Sequence, residues 1–340
     1  MSKTVWYCHS GPEGDVVIST RIRLARNLTK FPFPASMTGE QRRAVLELFQ
    51  KALAENDPGV GVLRYFSMQN IDPNEALAMV ERHLISPDFA VCAEGSGLFI
   101  NDDETVSMMI GEEDHLRLQV IQSGMALDEA YALADRIDTS LDETLHFAFD
   151  DRLGYLTQCP TNLGTAMRAS LMLHLPALQE RGTLQHLAGT VSKLGMTIRG
   201  LYGEGSKSQG AIYQLSNQVT LGISEEAAIA NLKSIAQQII REEREARKAL
   251  YGHPKYVDRA WRSLGILRMA RLLSHDEFME LISNVRAGVA VGCVEGPTLD
   301  DIGALINDVQ PAVLMHKAGR DMEPAERDEV RAATVRARLA

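Results

Sequence analysis

The sequence predicts an α+β chain in two parts: a mixed unit built on a largely antiparallel sheet flanked by helices, then an all-helical unit. Three observations carry this. Between Phe89 and Ile121, short apolar or alternating runs are separated by Gly95-Ser96-Gly97 and Asn101-Asp102-Asp103, the pattern of strands joined by hairpins. From Ser224 one helical pattern runs to about Leu250 with little interruption. Beyond Pro254 helix starts recur, with no β-propensity comparable to the first part.

The elements follow in order. Val16-Val17-Ile18 leads into Ser19–Leu24, a strand on which Arg21 and Arg23 share a face because successive side chains alternate. Thr38 with Gln41 is a capping-box start for a helix reaching about Leu53. Asp72-Pro73-Asn74-Glu75 opens another, with proline at its first position, ending near Ser86-Pro87. Strands are expected over Phe89–Ala93, Leu98–Asn101, Val106–Ile110 and Leu116–Ile121, and a helix from about Gly124 to Leu141. Thr165 reads as the cap of a helix containing Arg168. Met196–Arg199 and Ala211–Leu215 read as strands joined by a Gly-rich polar loop. The dense charge run Arg241–Lys248 at the end of the long helix reads as a solvated face. Tyr251-Gly252-His253-Pro254 ends that helix and divides the chain into units 1–251 and 252–340. In the second unit, Ser274 with Glu277 and then Thr298 start helices, and Pro324 precedes a last, Arg-rich one.

Composition narrows the function. A net charge of -10 argues against a general nucleic-acid binder. No apolar run is long enough to span a bilayer, and no secretory segment is evident. Cys8, Cys92, Cys159 and Cys293 are scattered, which suits reduced thiols in a cytoplasmic protein and argues against zinc. Arginine outnumbers lysine 26 to 9, and its planar fork suits phosphate.

Four clusters bear chemistry. Arg21 and Arg23, with Arg26 just beyond, could grip a polyanion through paired forks. Gly111-Glu112-Glu113-Asp114-His115-Leu116-Arg117 packs three acids and an arginine between two strand-like runs. Cys159-Pro160-Thr161-Asn162-Leu163-Gly164-Thr165 is a defined turn before Arg168, a setting that activates thiols. Arg199-Gly200-Leu201-Tyr202-Gly203-Glu204-Gly205-Ser206 suits a loop closing on a ligand. Each alone has a plainer reading: a solvated edge strand, a solvated acidic turn, a buried cysteine, a surface glutamate. Neither a P-loop nor the protein-kinase signature set is present.

Together and in this order, the four stretches resemble the ATP:guanido phosphotransferase (phosphagen kinase) family over roughly residues 15–250. The resemblance implies a phosphagen-kinase/glutamine-synthetase-like catalytic domain that uses ATP and Mg²⁺, the metal held mainly through ATP and water. Within the family the chain most resembles the bacterial protein-arginine kinases. The Arg21/Arg23 strand begins 18 residues in, whereas enzymes acting on small guanidines place a helical domain before it. A helical extension follows instead. Arg327-Asp328-Glu329-Val330-Arg331-Ala332 matches that extension's R-D-x-x-R-A motif. Two departures from the small-guanidine enzymes agree with this branch: Met172 stands where they carry histidine, and Tyr202 where they carry arginine or glycine.

Residue roles follow from the resemblance. Glu113, as general base, and Glu204 would clamp the acceptor guanidinium; Cys159 would stabilise its cationic form without attacking phosphorus, and Arg168 would serve the transferring phosphoryl. ATP contacts would come from Ser19, Thr20, Arg21, Ile22, Arg23, His83, Arg117, Arg168, Ala169, Ser170, Leu171, Met172, Arg199, Gly200, Leu201, Tyr202, Gly203 and Glu204. Arg327, Asp328, Arg331 and Ala332 would bind phosphoarginine allosterically; the four-residue spacing of Arg327 and Arg331 equally suits an intrahelical ion-pair pattern. The branch implies protein substrates with exposed arginines, the activator McsA, the ClpC–ClpP protease, the CtsR repressor, at least a dimer, and a cytoplasmic stress response. The competing readings are a small-molecule guanidine kinase and a catalytically dead phosphoarginine adaptor.

Overall fold

The computed structural model describes residues 5–56, 58–92, 94–200 and 209–340. In chain order the elements are β1 Val17–Arg26, α1 Gly39–Glu55, β2 Leu63–Ser67, α2 Pro73–Glu81, α3 Pro87–Ala90, β3 Gly97–Asn101, β4 Val106–Ile110, β5 Leu116–Ser123 and α4 Leu127–Leu145. The two-residue strands β6 Phe149–Asp150 and β7 Gly154–Tyr155 follow, then β8 Met167–His174, α5 Pro176–Glu180, α6 Leu184–Lys193, β9 Met196–Gly200, β10 Ile212–Asn217 and α7 Glu225–Tyr251. The rest is helical: α8 Pro254–Met269, α9 His275–Ala290, α10 Leu299–Asp308, α11 Pro311–Ala318 and α12 Pro324–Leu339.

Eight strands form one sheet in the order β2-β3-β4-β5-β1-β8-β10-β9, with every pairing antiparallel. The period-two alternation of strands sorts its two faces. Ile22, Leu24, Leu118, Val120, Ala169, Leu171 and Leu215 are buried on one face in a core shared with Ala130, Ala134 and Ile137 of α4 and Leu232, Ala236 and Ile239 of α7. The other face carries Arg21, Arg23, Arg117, Gln119, Arg168, Ser170, Arg199 and Gln214. Register aligns these across strands: Arg23 lies opposite Arg168, Ala25 opposite Arg117, Arg21 opposite Ser170, and Gln214 opposite Arg199. On the β3–β4 side, Leu98, Ile100 and Met109 are roofed by Met79, Leu84 and Phe89 from the α2–α3 region.

Capping chemistry holds as the sequence indicates. Thr38 and Gln41 form a reciprocal capping box, Ser224 accepts from the Ala227 amide, Ser274 from that of Glu277, and Thr298 pairs with Asp301. Four expectations need correction. Arg168 stands on the strand β8, not on a helix; Cys159 precedes only a three-residue 3₁₀ turn, Pro160–Asn162. The strand expected over Phe89–Ala93 is not formed over residues 89–92, and Ala93 lies outside the described residues: Ser86 caps the short helix α3, which places Phe89 in the roof. The helix opened by Asp72 stops at Glu81, and His83 then takes a left-handed φ of 61°. The charge run on α7 is not wholly solvated. Glu243 is fully buried and accepts the amides of Ala177 and Leu178, while Arg247 donates to Glu243, to the Asp15 carbonyl and to the His174 carbonyl. Those two charges seal the end of α7 against β8 and α5, where helix periodicity turned them inward.

Arg26 falls one step out of phase with Arg21 and Arg23. It is 1% exposed on the core side, where it donates to Asp138 at 2.8 and 3.0 Å and lies 3.4 Å from the Tyr155 ring centroid. Its role is structural. The helical unit has its own core, with Leu264, Leu267, Phe278, Ile282, Val285, Ile302, Leu305 and Val335 among its residues. The two parts join where Glu81 at the end of α2 accepts the Ala312 and Val313 amides that begin α11, and where Arg286 donates to the Gly14 carbonyl. Among the described residues, no helix is long and apolar enough to cross a membrane.

Candidate active site

The polar face of the sheet opens as a cleft of about 820 Å³ lined by Arg21, Arg23, Glu112, Glu113, Asp114, Arg117, Cys159, Arg168, Arg199 and Gln214. Four strands of one sheet, β1, β5, β8 and β9, deliver its cations, and β10 between β8 and β9 adds Gln214, so backbone hydrogen bonding alone fixes their spacing. Arg21 donates to Gln214 at 3.0 Å. Arg117 holds both oxygens of Glu112 at 2.7 and 2.8 Å, and Ser86 also donates to Glu112. Arg168 is aimed by the carbonyls of Asn217, Gln218 and Thr161 and the Asn162 side chain, at 2.9 to 3.2 Å. Arg199 donates to Thr197.

Arg23 is the least compensated of these. Its Nε is buried without a hydrogen-bond partner. Burial, then Arg21, Arg117 and Arg168, hold its pKa well below the usual guanidinium range. Burial and Arg117 bring Arg21 down to about 10. Cations gathered this closely depress one another's protonation, and an anion between them would relieve that repulsion.

The acids occupy the β4–β5 turn. Asp114 is buried and spent on structure: it accepts from Asn27 at 2.6 Å and the Gln158 amide at 2.8 Å. His115 donates its amide to Asn27 and accepts the Leu28 amide at Nδ1. These bonds lash the turn to the end of β1 and leave Glu113 exposed at its tip. Its pKa is raised by partial burial, Asp114 and Glu112, against the lowering effects of Arg117 and a hydrogen bond to Cys159. Cys159 also lies 3.1 Å from the Thr161 hydroxyl. Its turn is fixed by Gly164, at φ 101°, where a Cβ would meet the Thr220 carbonyl at 2.1 Å.

His83, Met172, Ser19 and Ser170 wall the far end of the cleft beside Arg21. Burial and Arg21 push the His83 imidazole down to about 4, so it is neutral near pH 7. Alternation turns the side chains of Ile22, Ala169 and Leu171 into the core, and Thr20 bonds the Gly124 carbonyl on that side. Leu201, Tyr202, Gly203 and Glu204 lie outside the described residues, while Gly200 lines the cleft.

The structure therefore gathers Arg21, Arg23, Arg117, Arg168, Arg199, Glu113 and Cys159 from across the catalytic unit. Sequence profiles agree with this geometry. That of the ATP:guanido phosphotransferase C-terminal catalytic domain matches residues 44–246, and that of the protein-arginine kinase McsB C-terminal domain matches residues 254–340. The chain belongs to the ATP:guanido phosphotransferase family. Similar proteins include the protein-arginine kinases of Caldanaerobacter subterraneus (45% identical, covering 96% of this chain and 97% of the relative) and Symbiobacterium thermophilum (44%, covering 98% and 96%). Among solved structures, the duplicated taurocyamine kinase from Schistosoma mansoni with bound transition state analog components aligns with a TM-score of 0.60 and 30% identity. That alignment covers 68% of this chain and 33% of the duplicated one. Lombricine kinase aligns with a TM-score of 0.62 and 26% identity, over 72% of this chain and 69% of that one.

An arginine-lined cleft can hold phosphates, and an exposed carboxylate beside it can accept a proton. Asn27, which holds the acidic turn, Gln214, which accepts from Arg21, and Gln119, which donates to the His83 carbonyl, were not singled out in the sequence; Asp114 and His115 were, but only as members of the acidic turn and not as its anchors. Alternation on β5 and β10 was the available signal for the two glutamines. Asn27 and Asp114 carried none, since their pairing spans 87 residues.

In the helical unit, Arg331 is 1% exposed and fully engaged: it donates to the Val309 and Leu273 carbonyls and to Asp328 at 2.6 Å. Arg327 donates to the Met322 carbonyl at 2.7 Å, and Ala332 is buried in the helical core. The intrahelical ion pair is thus formed, between Asp328 and Arg331.

Proposed function

We propose that this chain transfers the γ-phosphoryl group of ATP to arginine side chains presented by proteins. The observation that carries the reading is the convergence of Arg21, Arg23, Arg117, Arg168 and Arg199 in one cleft with the exposed carboxylate of Glu113 and the thiol of Cys159. The protein-arginine kinases that resemble the chain along nearly its whole length support protein arginine as the acceptor.

A protonated guanidinium is a poor nucleophile, so the acceptor must lose a proton as its N–P bond forms and the bond from phosphorus to the ADP oxygen breaks. Glu113 takes that proton; its raised pKa makes it a better base than an ordinary glutamate. Cys159, beside it, holds the cationic guanidinium before transfer. The arginines keep the triphosphate in line and offset charge that moves onto the leaving ADP. Glu204, outside the described residues, is the second clamp in this reading. Mg²⁺ offsets phosphate charge when bound. Glu112 is committed to Arg117, and in this reading the metal is carried by ATP and water.

We further read residues 1–251 as the catalytic unit and 252–340 as a regulatory helical unit. Phosphoarginine would bind the latter by displacing Asp328 from Arg331. The setting in this reading is cytoplasmic stress response: an oligomer acting with McsA, phosphorylating CtsR and marking proteins for ClpC–ClpP. The test is a substrate panel with ATP. Acid-labile phosphate on arginines of an unfolded protein, with little turnover of free arginine, is the expected result. The opposite preference, or no ATP-dependent product, overturns it.

A further inference from the structure

The segment before β1 contributes a residue to the nucleotide end of this cleft. Trp6 is 6% exposed, and its one polar side-chain atom, Nε1, is buried with no hydrogen-bond partner. An indole N–H left bare in a protein interior costs about 1–3 kcal/mol, so such an atom needs an explanation. The ring lines a small cavity with Ser19, Arg21, His83, Ile121 and Met172. That cavity continues the arginine cleft, sharing Arg21, His83 and Met172 with the adjoining space that reaches Arg23 and Arg117.

Strand geometry says which part of a nucleotide would arrive there. Arg23, Arg21 and Ser19 occupy successive same-face positions of β1, and four residues of strand span about 13 Å. Phosphates held at Arg23 and Arg21 therefore leave the nucleoside over Ser19, at the end farther from Glu113 and Cys159. Beyond Arg21 the wall there is apolar or uncharged: the Met172 thioether, Ile121, Ser19 and a neutral His83. This suits a flat heteroaromatic ring better than a phosphate.

The main chain around Trp6 is held from both units. Ser123 donates to the Trp6 carbonyl from β5. The Tyr7 carbonyl packs where a Cβ on Gly303 would meet it at 2.7 Å, and the Ser10 amide donates to Asp300 at 2.7 Å. The backbone that carries the ring is thus fixed before any ligand enters.

We propose that Trp6 is a base-contacting residue of the nucleotide site, donating its indole N–H to a ring nitrogen of the purine. The inference rests on the cleft being the ATP site. The chain has two tryptophans, Trp6 and the partly exposed Trp261, so Trp261→Phe leaves Trp6 as the sole indole reporter. In that variant, saturating ADP changes Trp6 emission. In Trp6→Phe, which keeps a ring and removes the N–H, Kd for ATP rises about 2- to 12-fold, the range of one net hydrogen bond, with kcat at saturating ATP little altered. One of 1-, 3- or 7-deaza-ATP weakens binding to wild type by the same factor and weakens Trp6→Phe no further. Trp6 emission unmoved by saturating ADP overturns the contact, whether or not Trp6→Phe folds. So does a folded Trp6→Phe with wild-type affinity, which would assign the N–H to a structural water. Failure of the wild type to bind ATP defeats the nucleotide-site reading itself.

Discussion

Replacing Arg23 with methionine should move stability and nucleotide affinity in opposite directions. Methionine keeps an unbranched stem in the cleft wall but removes a charge whose Nε is unpartnered and which faces Arg21, Arg117 and Arg168. An uncompensated interior charge costs several kcal/mol; the half-buried position of Arg23 reduces that to about 1 kcal/mol. At about 2.1 cal/mol/K of unfolding entropy per residue, a chain of 340 residues gains about 1.4 °C for each kcal/mol, so the unliganded variant melts about 1–1.5 °C higher than wild type. The same change removes charge-assisted contacts to phosphate worth about 1.5–3 kcal/mol, which weakens ATP binding about 10- to 150-fold. Calorimetric melting without nucleotide and titration calorimetry with ATP read the two effects separately. A variant that melts lower than wild type yet keeps its ATP affinity within twofold would refute the claim that this arginine serves phosphate binding at the expense of stability.

The acid limb of kcat/KM should lie above the usual glutamate range, because the Glu113 pKa is raised: activity is full above the shifted pKa and falls as pH drops through it. Glu113→Gln should cost about 10²- to 10⁴-fold in kcat and abolish that limb while ATP binding persists, as pH-rate profiles and nucleotide titration would reveal. Arg26→Met should cost about 3–5 kcal/mol in denaturant unfolding by stranding Asp138 in the core, with activity per folded molecule retained. Gly164→Ala forces a Cβ to within 2.1 Å of the Thr220 carbonyl at a φ of 101°; a melting temperature and kcat that both match wild type would contradict the rigid Cys159 turn inferred here.

Much of this was legible in the chain. The β1 alternation put Arg21 and Arg23 on one face, the capping residues located α1, α7, α9 and α10, and the turn residues separated β3, β4 and β5. These features depend on neighbours within a few residues, where steric and hydrogen-bond rules are local. The misreadings arose where distant contacts outvoted local signals. Thr165 looks like a helix cap, but Met167–His174 pairs with β1 and β10 in the middle of the sheet, and two ladders of backbone bonds outweigh one cap. Glu243 and Arg247 look solvated, yet their turn of α7 packs against β8 and α5, where backbone groups far away in sequence satisfy both charges. The residue types of the site were thus written in the sequence. Their convergence was not: strand order and register alone bring residues 23, 117, 168 and 199 to one cleft, and those depend on long-range pairing that no local pattern encodes.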